Sequence, residues 1–421
     1  MVGVPRAIAI VDGEHYAPVV RDALAELPYQ FVAAVLVGGT EKLRGGEDYG
    51  VPLDDDVESA IAQRAPDVVV DLSDEPVLDP VTRFALASRV LALGVPYVGA
   101  DFRLDPPELA SFELPSIAVV GTGKRVGKTA VTGHVARLLA TERRVVVVAM
   151  GRGGPAEPEI VTVPPTVESL VELSRSGRHA ASDHLETAAL VGVATVGCRR
   201  CGGGLAGGVA TSNVDEGARV ALELDPELVV FDGSGAALPP IAADRTVVVV
   251  GGHQDPAVVA GYLNTYRLLL ADVVVVTMAD ESAGWQAVLD AVRAVVRPGV
   301  DVVATTLQPR PLVDVRGREL AYFSAAPSSA HARLRAHLED AHGARVVHVS
   351  GNLADRDALR VELEGVDPEV FLVELKAAAI DVVAEAAFAR SAEVVLAAND
   401  VVPVGQIGLD ERLLEMAKFG S

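Results

Sequence analysis

Short apolar runs rich in valine and isoleucine alternate along the chain with stretches in which apolar residues recur every three or four positions. In the first part of the chain the runs predict strands at Ala7–Val11, Phe31–Val37, Val68–Leu72 and Pro96–Val98, with helices at Ala17–Leu27 and Val57–Arg64. This βαβ alternation predicts a parallel, doubly wound sheet, whose ligands sit beyond the carboxyl ends of the strands. Those ends read VDGEHY (11–16), VGGTEKLRG (37–45), DLSDEP (71–76) and VGADFR (98–103). Their glycines, with Lys42, Arg44 and Arg103, suit a ligand-binding mouth, or else turn chemistry with solvated charge. The segment LDPPELASFELP (104–115) contains three prolines and reads as a linker.

The alternation resumes with an apolar strand at Ser116–Val120, followed by GTGKRVGKT (121–129) and a helix carrying Val131, Val135, Leu138 and Leu139 at helical spacing. Strand, glycine-rich turn and helix is the arrangement that presents backbone N–H groups and a helix N-terminus to phosphate. Gly121, Thr122, Gly123, Lys124, Arg125, Val126, Gly127, Lys128 and Thr129 are therefore the candidate nucleotide cradle. Lys128 reaches the β- and γ-phosphates in this arrangement, and the Thr129 hydroxyl ligates Mg²⁺. Five residues separate Gly121 from Gly127, one more than the common phosphate loop. That spacing resembles dethiobiotin synthetase and the deviant-loop class of P-loop proteins.

Further strands are expected to end at Met150 and Phe231, and others at Thr246–Val250, Val273–Val276 and Val302–Thr305. Asp232, a carboxylate at the end of a buried strand, is the expected Mg²⁺ partner of Thr129. Arg152, after Met150, is a candidate phosphate ligand; Glu157 and Glu159 either position a metal or belong to a solvated loop. Ser182 or Asp183 in SDHLETAAL caps a helix or faces the ligand.

Composition narrows the partners. The chain has 421 residues, enough for two or three domains, with 50% hydrophobic residues and a formal net charge of −22. An acidic surface repels nucleic acid and anionic membrane, while leaving room for a small anion held by local arginines. The N-terminus does not read as a signal peptide, and no apolar stretch approaches a membrane span, so a cytoplasmic location is expected. The only cysteines, Cys198 and Cys201, lie in GCRRCGGGLAGG. They are a redox pair, half a zinc site, or ordinary thiols. Arg199 and Arg200 between them suit bidentate phosphate binding.

Nine stretches in order along nearly the whole chain (VDGEHY, GTGKRVGKTA, MGRGGP, GCRRCGGGLAG, DGSGAALPP, TTLQPRP, YFSAAP, HVSGNLADR and ELKAAAIDVV) resemble the cyclic 2,3-diphosphoglycerate synthetases. The resemblance implies an ATP- and Mg²⁺-dependent ligase that closes an intramolecular phosphoanhydride in 2,3-diphosphoglycerate, releasing ADP and phosphate. It also implies a family-specific N-terminal domain. The expected layout is α/β throughout: a Rossmann-like domain over 1–112, a P-loop doubly wound core over 113–310 and a C-terminal α/β region over 311–421, in a homo-oligomer, expected to be a dimer. Lys128, Asp232, Lys124 and Arg152 are the expected catalytic residues, Thr129 and Asp232 the metal ligands, and Arg125, Arg152, Arg199 and Arg200 the substrate ligands. Two other classes fit less well: another P-loop ligase or small-molecule kinase, and a nucleotide-gated regulatory ATPase.

Overall fold

The computed structural model describes residues 3–39, 43, 45–178, 180, 182–280, 283–375, 379–405 and 408–419. Its N-terminal sheet is built from β1 (Arg6–Val11), β2 (Gln30–Leu36), β3 (Leu53–Asp54), β4 (Val68–Asp71), β5 (Tyr97–Val98) and β6 (Arg103–Leu104). The spatial order is β3-β2-β1-β4-β5-β6, parallel except for β6. The helices Ala17–Glu26 and Val57–Arg64 lie where the apolar periodicity places them. Asp56 caps the second by accepting from the Ser59 N–H.

The segment expected to be a linker is docked onto the next region. Its strand β7 (Ala110–Ser111) is followed by β8 (Ser116–Gly121), β9 (Val145–Gly151), β10 (Glu159–Val161), β11 (Ala194–Cys201), β12 (Thr211–Ser212), β13 (Leu228–Asp232) and β14 (Ile241–Ala242). Strands β7 and β14 pair, and the Phe112 ring stands edge-on to Phe231 at 5.1 Å. Packing the partly buried Phe112 ring and pairing the backbone hold a proline-rich segment that periodicity alone leaves free.

A 13-stranded sheet forms the rest of the molecule. Its further strands are β15 (Arg245–Gly251), β16 (Val273–Thr277), β17 (Asp301–Pro311), β18 (Glu319–Phe323), β19 (Arg345–Ser350), β20 (Val370–Glu374) and β21 (Glu393–Pro403). The main order is β10-β11-β9-β13-β8-β15-β16-β17-β21-β20-β18-β19. The central strands are covered on both faces, so Val145–Met150, Leu228–Phe231, Val247–Val250 and Val273–Val276 are buried throughout.

Strand β17 joins the two halves of this sheet. Residues 301–304 pair in parallel with β16, and residues 305–311 pair antiparallel with β21. Pro309 and Pro311 are tolerated because that second half has only one neighbour. The reversal turns the carboxyl ends of β18, β20 and β21 back toward the carboxyl ends of the P-loop strands. Arg333, beyond β18, accordingly meets Asp280, beyond β16, at 2.9 Å. The N-terminal unit docks through helix Pro80–Ala92. Ser88 Oγ donates to the Tyr262 carbonyl at 3.2 Å, and the Phe84 and Tyr262 rings lie 5.8 Å apart.

Candidate active site

The loop after β8 divides into a buttress and a cradle. Gly121 donates its N–H to the Gly235 carbonyl at 3.2 Å, and Thr122 donates its N–H to the Val249 carbonyl at 3.0 Å. The Thr122 hydroxyl donates to Gln254 Oε1 at 2.7 Å. These two residues, expected in the nucleotide cradle, are turned inward; the cradle is left to Gly123–Thr129. Val126 buries its side chain, and its carbonyl accepts from Thr277 Oγ1 at 2.7 Å. Gly127 takes φ of 77° and opens helix Lys128–Leu139, whose first N–H groups have no intrahelical acceptor. Lys124 and Arg125 stand exposed at the loop tip, Arg125 in the left-handed region at φ 61°.

Lys128 is only 9% exposed, and its ammonium donates to Asp232 Oδ1. Thr132 Oγ1 donates to the same oxygen at 2.6 Å. Asp232 Oδ2 is buried and has no partner among the described residues. A buried carboxylate oxygen left open beside a helix N-terminus suits a hard cation. Thr129, in the first turn of that helix, supplies a further oxygen of the right chemistry.

Two guanidiniums converge on the same loops. Arg152 approaches Gly235, its Nη2 lying 3.8 Å from the point that a Cβ there would occupy. Arg200 donates to the Ser234 carbonyl at 2.9 Å and the Gly202 carbonyl at 2.7 Å, while its buried Nε is unpartnered. Burial and the nearby Arg152 charge hold the Arg200 guanidinium below its ordinary pKa, against the pull of Asp183 and Cys201. Asp183 comes within 3.4 Å of the corresponding Cβ point on Gly151. Arg199 does not join them. Successive side chains of a strand point to opposite faces, so it is exposed while its N–H donates to Asn213 Oδ1 at 2.7 Å.

Other candidates are placed elsewhere. Glu159 pairs with Arg178 at 2.8 Å, and Glu157 is exposed. Ser182 occupies the cap position of helix Asp183–Val191, but its buried hydroxyl makes no capping bond. Cys198 is buried, its sulfur 2.1 Å from the point a Cβ on Gly217 would take, and burial pushes its thiol up to about 12. Cys201 is exposed, and no cluster of three or more His, Cys, Asp or Glu among the described residues could hold a metal. Arg103 pairs with Asp105 on the surface, whereas Lys42 and Arg44 lie outside the described residues.

The sequence reading missed Gln254 and Arg267. Gln254 follows β15, the strand beside the P-loop strand, and that position was its available signal. Arg267 is 3% exposed and bonds the carbonyls of Ala236, Leu263 and Leu205 at 2.7, 2.8 and 3.1 Å. Burial brings its pKa down to about 10. It ties the loop after Asp232 to the loop after Cys201, and no local motif announced it.

Three family models match in order: the cyclic 2,3-diphosphoglycerate synthetase N-terminal domain over residues 6–105, its P-loop domain over 116–306 and its C-terminal domain over 311–400. A curated relative of that name from Rubrobacter xylanophilus is 50% identical, with 98% of this chain and 97% of the relative covered. The chain belongs to the cyclic 2,3-diphosphoglycerate synthetase family. Relatives of the same name from Thermococcus gammatolerans and Methanothermus fervidus are 45% and 38% identical, each with 98% of this chain and 97% of the relative covered. Among solved structures, LpxK from Aquifex aeolicus in complex with ATP aligns at TM-score 0.44 and 15% identity, over 74% of this chain and 91% of its own, too remote to bear on the site. In this synthetase the P-loop domain is the nucleotide-binding part, and no described helix is long and apolar enough to cross a membrane.

Proposed function

We propose that the protein is an ATP-dependent ligase that converts 2,3-diphosphoglycerate into its cyclic phosphoanhydride, ADP and phosphate. The observation that carries this reading is the pairing of Arg200 with Arg152 across the mouth from Lys128. A partly buried Arg200 guanidinium with the exposed Arg152 charge beside it calls for an anion, and the open Arg200 Nε is ready to donate to it. The site therefore offers positive charge twice, once to ATP and once to a phosphorylated substrate.

In this mechanism Gly123–Thr129 hold the triphosphate through backbone N–H groups, and Lys128 turns from Asp232 to the β- and γ-phosphates. Thr129 and Asp232 would hold one Mg²⁺, which supplies charge to the phosphate oxygens when bound. Arg152 and Arg200 bring one substrate phosphate into line with the γ-phosphorus and screen its charge. A terminal oxygen of that phosphate attacks the γ-phosphorus, and ADP leaves. The second substrate phosphate then attacks the activated phosphorus of the first, closes the ring and expels inorganic phosphate. No general base is required, because both nucleophiles are already oxyanions. Lys124 and Arg125, exposed at the loop tip, add positive charge over the same mouth.

Oxygen tracing tests the sequence of bonds. With ¹⁸O in the terminal phosphate oxygens of 2,3-diphosphoglycerate, the oxygen that attacked the γ-phosphorus leaves with the released phosphate. Mass spectrometry after one turnover should find one heavy oxygen in that phosphate. Phosphate with no heavy oxygen, its fourth oxygen having come from water, would overturn direct activation, and absence of the cyclic product in phosphorus NMR would overturn the ligase reading itself.

A further inference from the structure

Gln254 stands over the phosphate loop in a fixed orientation. Its Oε1 accepts from the Gly251 N–H at 2.9 Å and from the Thr122 hydroxyl at 2.7 Å. A backbone N–H is only a donor, so a flipped amide would set two donors against each other. The orientation therefore follows from the network. It directs Nε2 at the loop, 3.0 Å from the point a Cβ on Gly123 would occupy. Among the described residues Nε2 meets no acceptor.

Gly123 marks one end of the cradle. Its carbonyl lies 3.9 Å from the corresponding Cβ point on Gly235, where Arg152 also arrives. Gly235 belongs to the loop that follows Asp232. The opposite end of the cradle, Gly127–Thr129, enters the helix. A triphosphate lying along the cradle thus has its terminal phosphate at the Gly123 end and its inner phosphates at the helix N-terminus.

We propose that Gln254 is a γ-phosphate ligand: its Nε2–H donates to a terminal oxygen of ATP, and the Thr122–Gln254–Gly251 network reports whether a third phosphate is present. This rests on the reading that Gly123–Thr129 hold ATP. Thr122, at the place where the common loop spacing has a glycine, then serves the nucleotide through Gln254 rather than by direct contact. An amide donor is neutral and adds directionality where Lys128 adds charge. The same residue adds to the selection of ATP over ADP a directed contact made only with the third phosphate, whereas Lys128 serves the β-phosphate as well.

The test measures binding of the β,γ-imido analogue of ATP and of ADP, each with Mg²⁺, by calorimetry. The proteins are the wild type, Gln254→Glu and Gln254→Met. Gln254→Glu keeps an oxygen for Thr122 and Gly251 but turns a carboxylate oxygen toward the γ-phosphate. It should weaken the triphosphate analogue about tenfold or more and leave ADP within about twofold. Gln254→Met removes the donor without adding charge and should lower the triphosphate-to-ADP affinity ratio in the same direction, by less. It also keeps the comparison readable if the carboxylate variant fails a thermal-melting check. Equal weakening of both nucleotides, or no weakening of either, would overturn the proposal and leave Gln254 a loop buttress. A wild-type protein that binds neither nucleotide overturns the ATP reading first.

Discussion

In the N-terminal sheet the adjacent parallel strands β1 and β4 each present a buried aspartate at the carboxyl end, and in the large sheet β13, parallel to the P-loop strand β8, does the same. Asp12 follows β1 and receives four hydrogen bonds: from the N–H groups of Glu14, His15 and Asp74, and from the His15 ring. Asp71, at the end of β4, receives the Tyr97 hydroxyl at 2.7 Å and Arg83 Nε at 2.9 Å. Asp232 also sits at a strand end, yet one of its oxygens is open, and the Arg200 Nε across the mouth is open too. The first mouth spends its carboxylates on holding its own turns. The second keeps buried polar atoms unmatched, which costs stability unless a ligand supplies the partners. The same strand-end position thus serves as a structural post in one sheet and as a buried, open acceptor in the other.

The largest effect should come from breaking the open mouth. Lys128→Ala and Asp232→Asn each remove charge that acts on the transferring phosphoryl group, and turnover should fall about a hundredfold or more. Circular dichroism should still show a folded chain. Near-normal turnover in either variant would remove that residue from the assigned machinery.

A smaller, more selective effect separates the two neighbouring arginines. Arg200→Ala should raise the apparent KM for 2,3-diphosphoglycerate by about tenfold to a hundredfold, the range for losing charged hydrogen bonds, and change ATP affinity little. Arg199→Ala, on the exposed face of β11, should change either by less than about threefold. Equal effects from the two substitutions would show that strand alternation does not govern the site.

The closed mouth should respond in stability and not in turnover. Asp12→Asn turns an amide donor toward an N–H donor, and unfolding free energy should drop by about 1–3 kcal/mol with kcat near the wild-type value. Burial alone would raise the Asp12 pKa, but the bonds from Asp74 and His15 outweigh it and hold the carboxyl below its ordinary value. The sign follows from that direction. Its stabilisation is fully present above the unfolded carboxylate pKa and is lost as pH falls through the lower, folded one. Melting curves taken downward from about pH 5 should therefore fall less steeply for Asp12→Asn than for the wild type. A selective loss of turnover would give the N-terminal mouth a catalytic part.

Much of this was legible along the chain because the signals are local. The strands near residues 7, 31, 68 and 116, the phosphate loop with its lysine, and the aspartate ending β13 all follow from short-range pattern. Thr122 was not legible as a buttress, because its orientation depends on the Val249 carbonyl and on Gln254, more than a hundred residues away. The antiparallel ladder of β17 with β21 joins segments about ninety residues apart, and its two prolines argue against a strand when read alone. Nothing in a single segment shows that Arg333 comes to rest against Asp280.

The sequence by itself determined which segments are strands and helices, where phosphate can be cradled and which family's motifs the chain carries. All of these are set by side-chain period, turn residues and spacing within a few tens of residues. Tertiary structure alone decided which polar groups are consumed and which stay open. Asp12 and Asp232 look alike in sequence, and only their neighbours in space fill one and leave the other unmatched. Hydrogen-bond satisfaction is a property of packed surroundings, and those surroundings are assembled from residues far apart in the chain.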